Sequence, residues 1–404
     1  MAFELSNEQR VYFGLEIINP DWERVPFRGD AYRPDSVLYF EGDTIKRHII
    51  STDEKYDEKQ YNDLTKGRSI LLPATIKGKE KKLTASVLEL RQPHGVYCHI
   101  NIHRGILIGN YNTQTTFYSN RWESHNLNET APIDKLVSNF ISTSPPSHLS
   151  GIEFFKNAKR KNVKFKPGDF FAFKINRTEY GFGRILLNID ELKKKNILSQ
   201  EHGLSFIMSK PVLIKFYAYT SKIKNVNISD LIGLSCLPSD YMMDNLLFYG
   251  EYEIIGNKPL TIDEMDFPMS YGRHIDHRRN SIFFQWGLIN IELPSSSFNK
   301  YLVADNTRLP EGHPSRRITN PYGYYSVGFS PSYSGNDIMG TILNDGFFDY
   351  QNTSISKANF DLRNPQNHQI KDEIMKAFGL DIKKNYAENS LLTKTIDVIE
   401  IMNS

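Results

Sequence analysis

The sequence holds only two cysteines in 404 residues, Cys98 and Cys236. A pair so far apart is no disulfide framework, and it points to a reducing cytoplasm as the setting. No apolar run approaches the roughly 18 residues a membrane helix needs, so no membrane partner is expected. The opening MAFELSNEQRVYFGLE lacks the basic start and apolar run of a secretory signal. Charge of one sign is scarce as well, with a formal net charge of +2. The broad basic footprint of a nucleic-acid binder is therefore missing.

What is abundant is aromatic. The chain has 22 tyrosines and 25 phenylalanines, and such side chains suit half-buried pleated surfaces. The length allows two or three domains. Residues 1–130 read as a β-rich domain. Within it, SVLYFEGDTIKRHIIS (36–51) gives two strands around Glu41-Gly42-Asp43, KYDEKQYNDLTKG reads as polar loop or surface, and RSILLPATIKGKEKKLTASVLEL reads as strand, turn, strand. Residues 131–163 read as a helical connector: Pro132–Ile141, a stop at Pro145-Pro146, then a second helix with Ser150 as candidate N-cap. Residues 164–300 form a second β-rich domain with PVLIKFYAYTS, LLFYGEYEIIGNKPL and SIFFQWGLINIELP (281–294) as strands. Residues 301–404 are irregular, with a helix near 371–379 that Gly379 can close. The fold expected is a β-rich α+β protein: two β-rich units, barrel-like or strongly bent, joined by a short helical connector. The hairpin-like patterns at 71–90 and 170–189 have a weak similarity of the kind a duplication leaves.

The second domain opens with KFKPGDFFAFKINRTEYGFGRIL (164–186). Pro167-Gly168-Asp169 is a turn. Gly181 and Gly183 lie on one face of a strand, where a missing side chain permits a bend or a close approach. The glycine spacing is not that of a dinucleotide or phosphate loop, because only G-x-G is present. His94, Cys98, His99 and His103 crowd together, but on a strand His99 and His103 stand about 13 Å apart, too far for one zinc. The denser polar cluster is YGRHIDHRR (271–279). Tyr271, Arg273, His274, Asp276, His277 and Arg278 are candidate partner-binding residues beside an apolar strand. No metal site, cofactor or catalytic residue is assigned.

The positions Gly168, Asp169, Tyr180, Gly181, Gly183 and Arg184, with the layout out to about 294, resemble the immunity protein 26 family of bacterial polymorphic-toxin systems. That family also carries a phosphotriesterase label. YFGLE, WERV and LLPATIKGKEKKLT resemble an extension found ahead of its domain. The resemblance implies a non-enzymatic cytoplasmic protein that binds and neutralises a cognate protein toxin, and it supplies no catalytic residues. Two alternatives come from other classes. One is a metal-dependent hydrolase working at His274, Asp276 and His277. The other is an RNA-associated small-barrel module, whose binding would fall steeply with salt.

Overall fold

A computed structural model describes residues 3–75, 77–120, 131–274, 276, 278–304, 318–319, 321–323, 328, 331–353, 355, 357–395, 397, 399 and 401. The chain divides into two compact units. The first is Met1–Asn162 with Asn176–Thr178 and Tyr249–Glu251; the second is Val163–Ile175, Glu179–Phe248 and Tyr252–Ser404.

The first unit is built on strands β1 (Glu23–Phe27), β2 (Ser36–Glu41), β3 (Thr44–Ser51), β4 (Lys55–Lys66), β5 (Ile70–Leu71), β6 (Lys81–Lys82), β7 (His94–Asn101), β8 (Gly105–Asn110) and β9 (Thr115–Ser119). Their order is β1-β2-β3-β4-β7-β8-β9, with the small β5–β6 pair attached to β4. Helices α1 (Asn7–Tyr12), α2 (Ala85–Glu89), α3 (Ile133–Ser142) and α4 (His148–Lys156) accompany it. One sheet face buries Tyr39, Ile49, Tyr56, Val96, Cys98 and Ile100 against Phe13, Val137, Phe140 and Ile152. The opposite face buries Leu38, Phe40, Ile45 and Tyr61 against Leu71 and Leu88. Within 131–163, only Ile133–Ser142 and His148–Lys156 are helical, and their apolar residues belong to this first core. Ser147, not Ser150, takes the N-cap position of α4.

Two local expectations are corrected here. The polar stretch read as loop or surface is β4, a strand of 12 residues, whose Tyr56, Glu58 and Gln60 alternate into the interior. Its polar inward residues find buried partners: Glu58 accepts from Arg10 Nε at 3.1 Å and lies 3.3 Å from Arg47 Nε. The expected strand after Lys79 shrinks to β6, and the chain turns into α2, with Thr84 capping Val87 N–H. Residues 71–90 therefore do not repeat the hairpin at 170–189. In the sequence cluster of histidines, Cys98 is buried while His99 points the other way and pairs with Asp57 at 2.8 Å.

The second unit has β10 (Asp169–Lys174), β11 (Tyr180–Asn188), β12 (Pro211–Ser221), β13 (Asp240–Met243) and β14 (Glu253–Asn257) in the order β13-β12-β11-β10-β14. A second sheet has β15 (Met269–Arg273), β16 (Ser281–Trp286) and β17 (Ile289–Pro294), and β18 (Val303–Ala304) pairs with β19 (Ile318–Thr319). The helices are α5 (Ile189–Lys194), α6 (Asn245–Phe248), α7 (Gly335–Leu343), α8 (His368–Ala377) and α9 (Tyr386–Leu392). The stretch 281–294 is thus a hairpin and not one strand, and LLF (246–248) is helical. The described residues of the C-terminal part include the helices α7, α8 and α9. Ile374, Met375, Phe378 and Tyr386 pack on Tyr271, Ile282, Phe284 and Trp286 of the three-stranded sheet. Gly379 takes φ +75° just past α8.

The protein is β-rich, and among the described residues its sheets are open and form no closed barrel. The long sheet ends at β1 and β9, and the five-stranded one ends at β13 and β14. Closure would need those end strands to pair. Curvature comes from register shifts, at Ile45/Arg47 and Glu58/Gln60 in the first unit and at Gly181/Gly183 and Ile185/Leu187 in the second.

Candidate functional site

The β10–β11 hairpin sorts its residues onto two faces. Phe171 lies opposite Gly183 and Phe173 opposite Gly181. A Cβ on Gly183 would stand 2.3 Å from Phe171 Cζ and 2.7 Å from the Lys215 carbonyl oxygen, and one on Gly181 would stand 2.7 Å from Phe173 Cζ. The glycines are thus the floor on which the two rings lie. The opposite face carries Phe170, Ala172 and Phe182, buried with Tyr217 and Leu231. Tyr180 is half-buried against the same cluster.

Three motif residues converge on the segment after β14. Gly168, at φ +86°, has no room for a Cβ because Lys258 O would lie 2.5 Å away. Its carbonyl accepts Lys258 N–H at 3.1 Å. Asp169 accepts from Lys166 N at 2.8 Å and from Asn257 Nδ2 at 2.7 Å. Burial pushes its carboxyl pKa up, and those two hydrogen bonds oppose the shift. Arg184 is fully buried, lies over the Phe170 ring at 4.4 Å, donates to Lys258 O at 2.7 Å and pairs with Glu264. Gly168, Asp169 and Arg184 therefore clamp residues 257–264 to the hairpin. They hold shape and are not presented to a partner.

Another multiply bonded guanidinium, the partly buried Arg363, had no signal in the sequence. It binds Asp361 at 2.7 Å, Asp266 at 2.9 Å and the Ser239 carbonyl at 3.0 Å. Its partners lie up to 124 residues away in sequence, so local patterning could not reveal it.

The candidate binding cluster splits on inspection. Tyr271 and Arg273 lie on β15, not in a loop. Tyr271 is fully buried, with its hydroxyl 3.0 Å from Lys300 O and 3.2 Å from Phe298 O. Its ring is part of the core and is not a surface contact. His274 is also buried. Its ring meets Phe206 edge-on, and its Nδ1 accepts Asp276 N–H at 3.0 Å. His277 lies outside the described residues.

The exposed part of the cluster is a small, tied loop between β15 and β16. Asp276 accepts Arg278 Nε at 3.0 Å, Nη2 at 2.9 Å and backbone N–H at 3.1 Å. The Arg278 hydrogen bonds hold the Asp276 carboxyl down at about 2. Arg279 reaches Glu201 and, at 3.3 Å, Glu292, while Arg273 Nη2 lies 3.4 Å from Asn280 Oδ1. Glu201 and Glu292 were not legible as partners, since they join the cluster only through folding. The Arg278 side chain is 90% exposed. Its guanidinium is tied to Asp276 through Nε and Nη2, which offsets part of its charge and leaves Nη1 as the group not used in that pair. Among the described residues, no three His, Cys, Asp or Glu side chains stand together as metal ligands, and no helix is long and apolar enough to cross a membrane.

Residues 166–281 match the model of a family described as Immunity protein 26. The matched range starts just before the Gly168 turn, contains both motif glycines and Arg184, and ends at the first residue of β16 after the Arg278 loop. No curated protein and no solved structure matches the chain.

Proposed function

We propose that this chain, whose residues 166–281 belong to the immunity protein 26 family, is a non-enzymatic cytoplasmic protein that binds and neutralises a cognate bacterial toxin. The family match is the observation that carries the reading. Immunity function in toxin systems is what the family implies, with a protein toxin as the partner. The contact surface proposed within the matched range is the loop 274–280, led by Arg278 with Arg273 and Asp276 beside it. Tyr271 and His274 act from below, as packing that sets the loop's position. Support comes from chemistry: arginine is favoured at interfaces, and a preorganised cation loses little freedom on docking. A stable interface of this kind would bury about 1,200–2,000 Å², so it would extend beyond this loop.

Co-expression with the toxin domain of the neighbouring reading frame tests the proposal. Protection is expected, with a complex that survives purification. Arg278→Glu should weaken that complex by about 10–100-fold and leave the fold intact. Protection without any complex, together with metal-dependent turnover of a small substrate, would instead favour the hydrolase alternative.

A further inference from the structure

The first unit has a pocket of about 370 Å³, lined by Glu16, Trp22, Lys46, Arg47, Gln60, Tyr61, Asn62 and His94. Its volume is at the lower end of the roughly 300–1,000 Å³ typical of small-molecule sites. All its residues belong to the first unit, outside the family match.

The pocket sits where the sheet is interrupted twice. Between Ile45/Asp63 and Arg47/Gln60 the register slips, so that Lys46 faces both Tyr61 and Asn62. Between Glu58/Cys98 and Gln60/His94 it slips again, with Gly95 at φ +64°. Bulges re-aim side chains and are common beside binding sites. Here they turn Lys46, Gln60, Asn62 and His94 toward one cavity.

The floor is cationic and incompletely satisfied. Arg47 is 1% exposed. Its Nη2 donates to the Glu16 carbonyl at 2.8 Å, while Nε and Nη1 have no hydrogen-bond acceptor among the described residues. Nε does lie at ion-pair distance from Glu58, but that carboxylate is shared with Arg10. Arg10 has a second counter-charge in Glu4 at 3.3 Å, whereas among the described residues Arg47 has only its share of Glu58 at ion-pair distance, so Arg47 is the cation behind the pocket. Trp22 lies 5.9 Å from the Arg47 guanidinium carbon and covers it. Lys46 Nζ, at the wall, is held by Asn62 Oδ1 at 2.9 Å and Glu41 at 3.1 Å. The one carboxylate among the lining residues is Glu16, which is exposed.

We propose that this pocket binds a small organic anion, with its carboxylate or phosphate held by Lys46 and attracted by Arg47, and its body against Trp22. A buried donor without an acceptor is rare in folded proteins and marks a place where something else supplies one. The cavity is larger than a bare ion needs, and the indole gives a flat apolar wall for the remainder of the ligand. Direct contact with Arg47 requires the indole to move aside, so Trp22 reports on occupancy.

The test uses the full chain labelled with 5-fluorotryptophan and ¹⁹F NMR, with Trp22→Phe to assign the resonance. Inorganic phosphate and acetate are titrated separately against sodium chloride of equal ionic strength. A saturable shift of the Trp22 signal is expected with at least one of the two probes, and which one responds identifies phosphate or carboxylate as the recognised group. Lys46→Gln should weaken the response at least about tenfold, and a parallel titration of Arg47→Lys should retain it. The absence of a saturable shift with both probes, an equal shift with chloride, or an unchanged response in Lys46→Gln would overturn the proposal.

Discussion

Gly183→Val is expected to destabilise the second unit by about 3 kcal/mol or more. The added Cβ would meet Phe171 Cζ at 2.3 Å and Lys215 O at 2.7 Å. The ring could swing only into a core already filled by Phe173, Phe216 and Tyr252. The carbonyl belongs to β12, which pairs with β11 on this side, so it cannot retreat without loss of the ladder. Valine adds two methyl groups to the same crowded space. The contrast is Gly340→Ala on the exposed side of α7, where nothing lies within 4 Å of the new Cβ. That change should be neutral or stabilising by up to about 1 kcal/mol. Chemical unfolding of the full chain, with both variants compared to the parent, gives the answer. Equal midpoints for Gly183→Val and the parent would mean that the hairpin does not need the close approach.

Glu58→Gln is expected to cost about 3–5 kcal/mol in the first unit. Glu58 is fully buried and is the shared counter-charge of Arg10 and Arg47, and it also accepts from the Tyr56 hydroxyl. The amide keeps the volume but removes the charge and places donors where only acceptors fit. Two buried cations then remain, with Glu4 at 3.3 Å from Arg10 as compensation for one of them. The first unfolding transition should move to lower denaturant. A shift below about 0.5 kcal/mol, the range of an ordinary surface substitution, would show that the carboxylate does not hold the pair in place.

These two sites also show how far the sequence can be read. At Gly181 and Gly183 the missing side chains were a legible sign of close approach. That Phe171 and Phe173 make the approach depends on the hairpin register, which one sequence leaves open. β4 was misread because KYDEKQYNDLTK has few apolar residues, and polarity normally places a segment at the surface. Beside the inward Tyr56, its inward positions Glu58 and Gln60 are charged and amidic, and the partners of Glu58, Arg10 and Arg47, come from α1 and β3. A strand whose buried face is an ion-pair network has no hydrophobic alternation to find. Of the two forms expected, barrel-like or strongly bent, a closed barrel is not formed among the described residues. Bent strands and glycines are common to closed barrels and to open bulged sheets, and only the pairing of the end strands separates them.

The candidate loop was legible as composition and not as geometry. YGRHIDHRR stands out as a polar cluster, yet alternation on β15 sends Tyr271 inward, and the Asp276 N–H holds His274 against Phe206. What reaches solvent is Arg278, tied back to Asp276. The clamp formed by Gly168, Asp169 and Arg184 on residues 257–264 explains why the motif is spread over the start of the segment while its contacts lie some ninety residues later.

The most direct measurement of the account is a hydrogen–deuterium exchange comparison of the full chain alone and with the toxin domain encoded beside it. The account predicts a stable complex, with slowed exchange concentrated in 166–281 and including the backbone amides of the 274–280 loop. A complex whose only protection falls in the first unit, or no complex at all while the cells remain protected, would contradict toxin neutralisation through the immunity protein 26 segment.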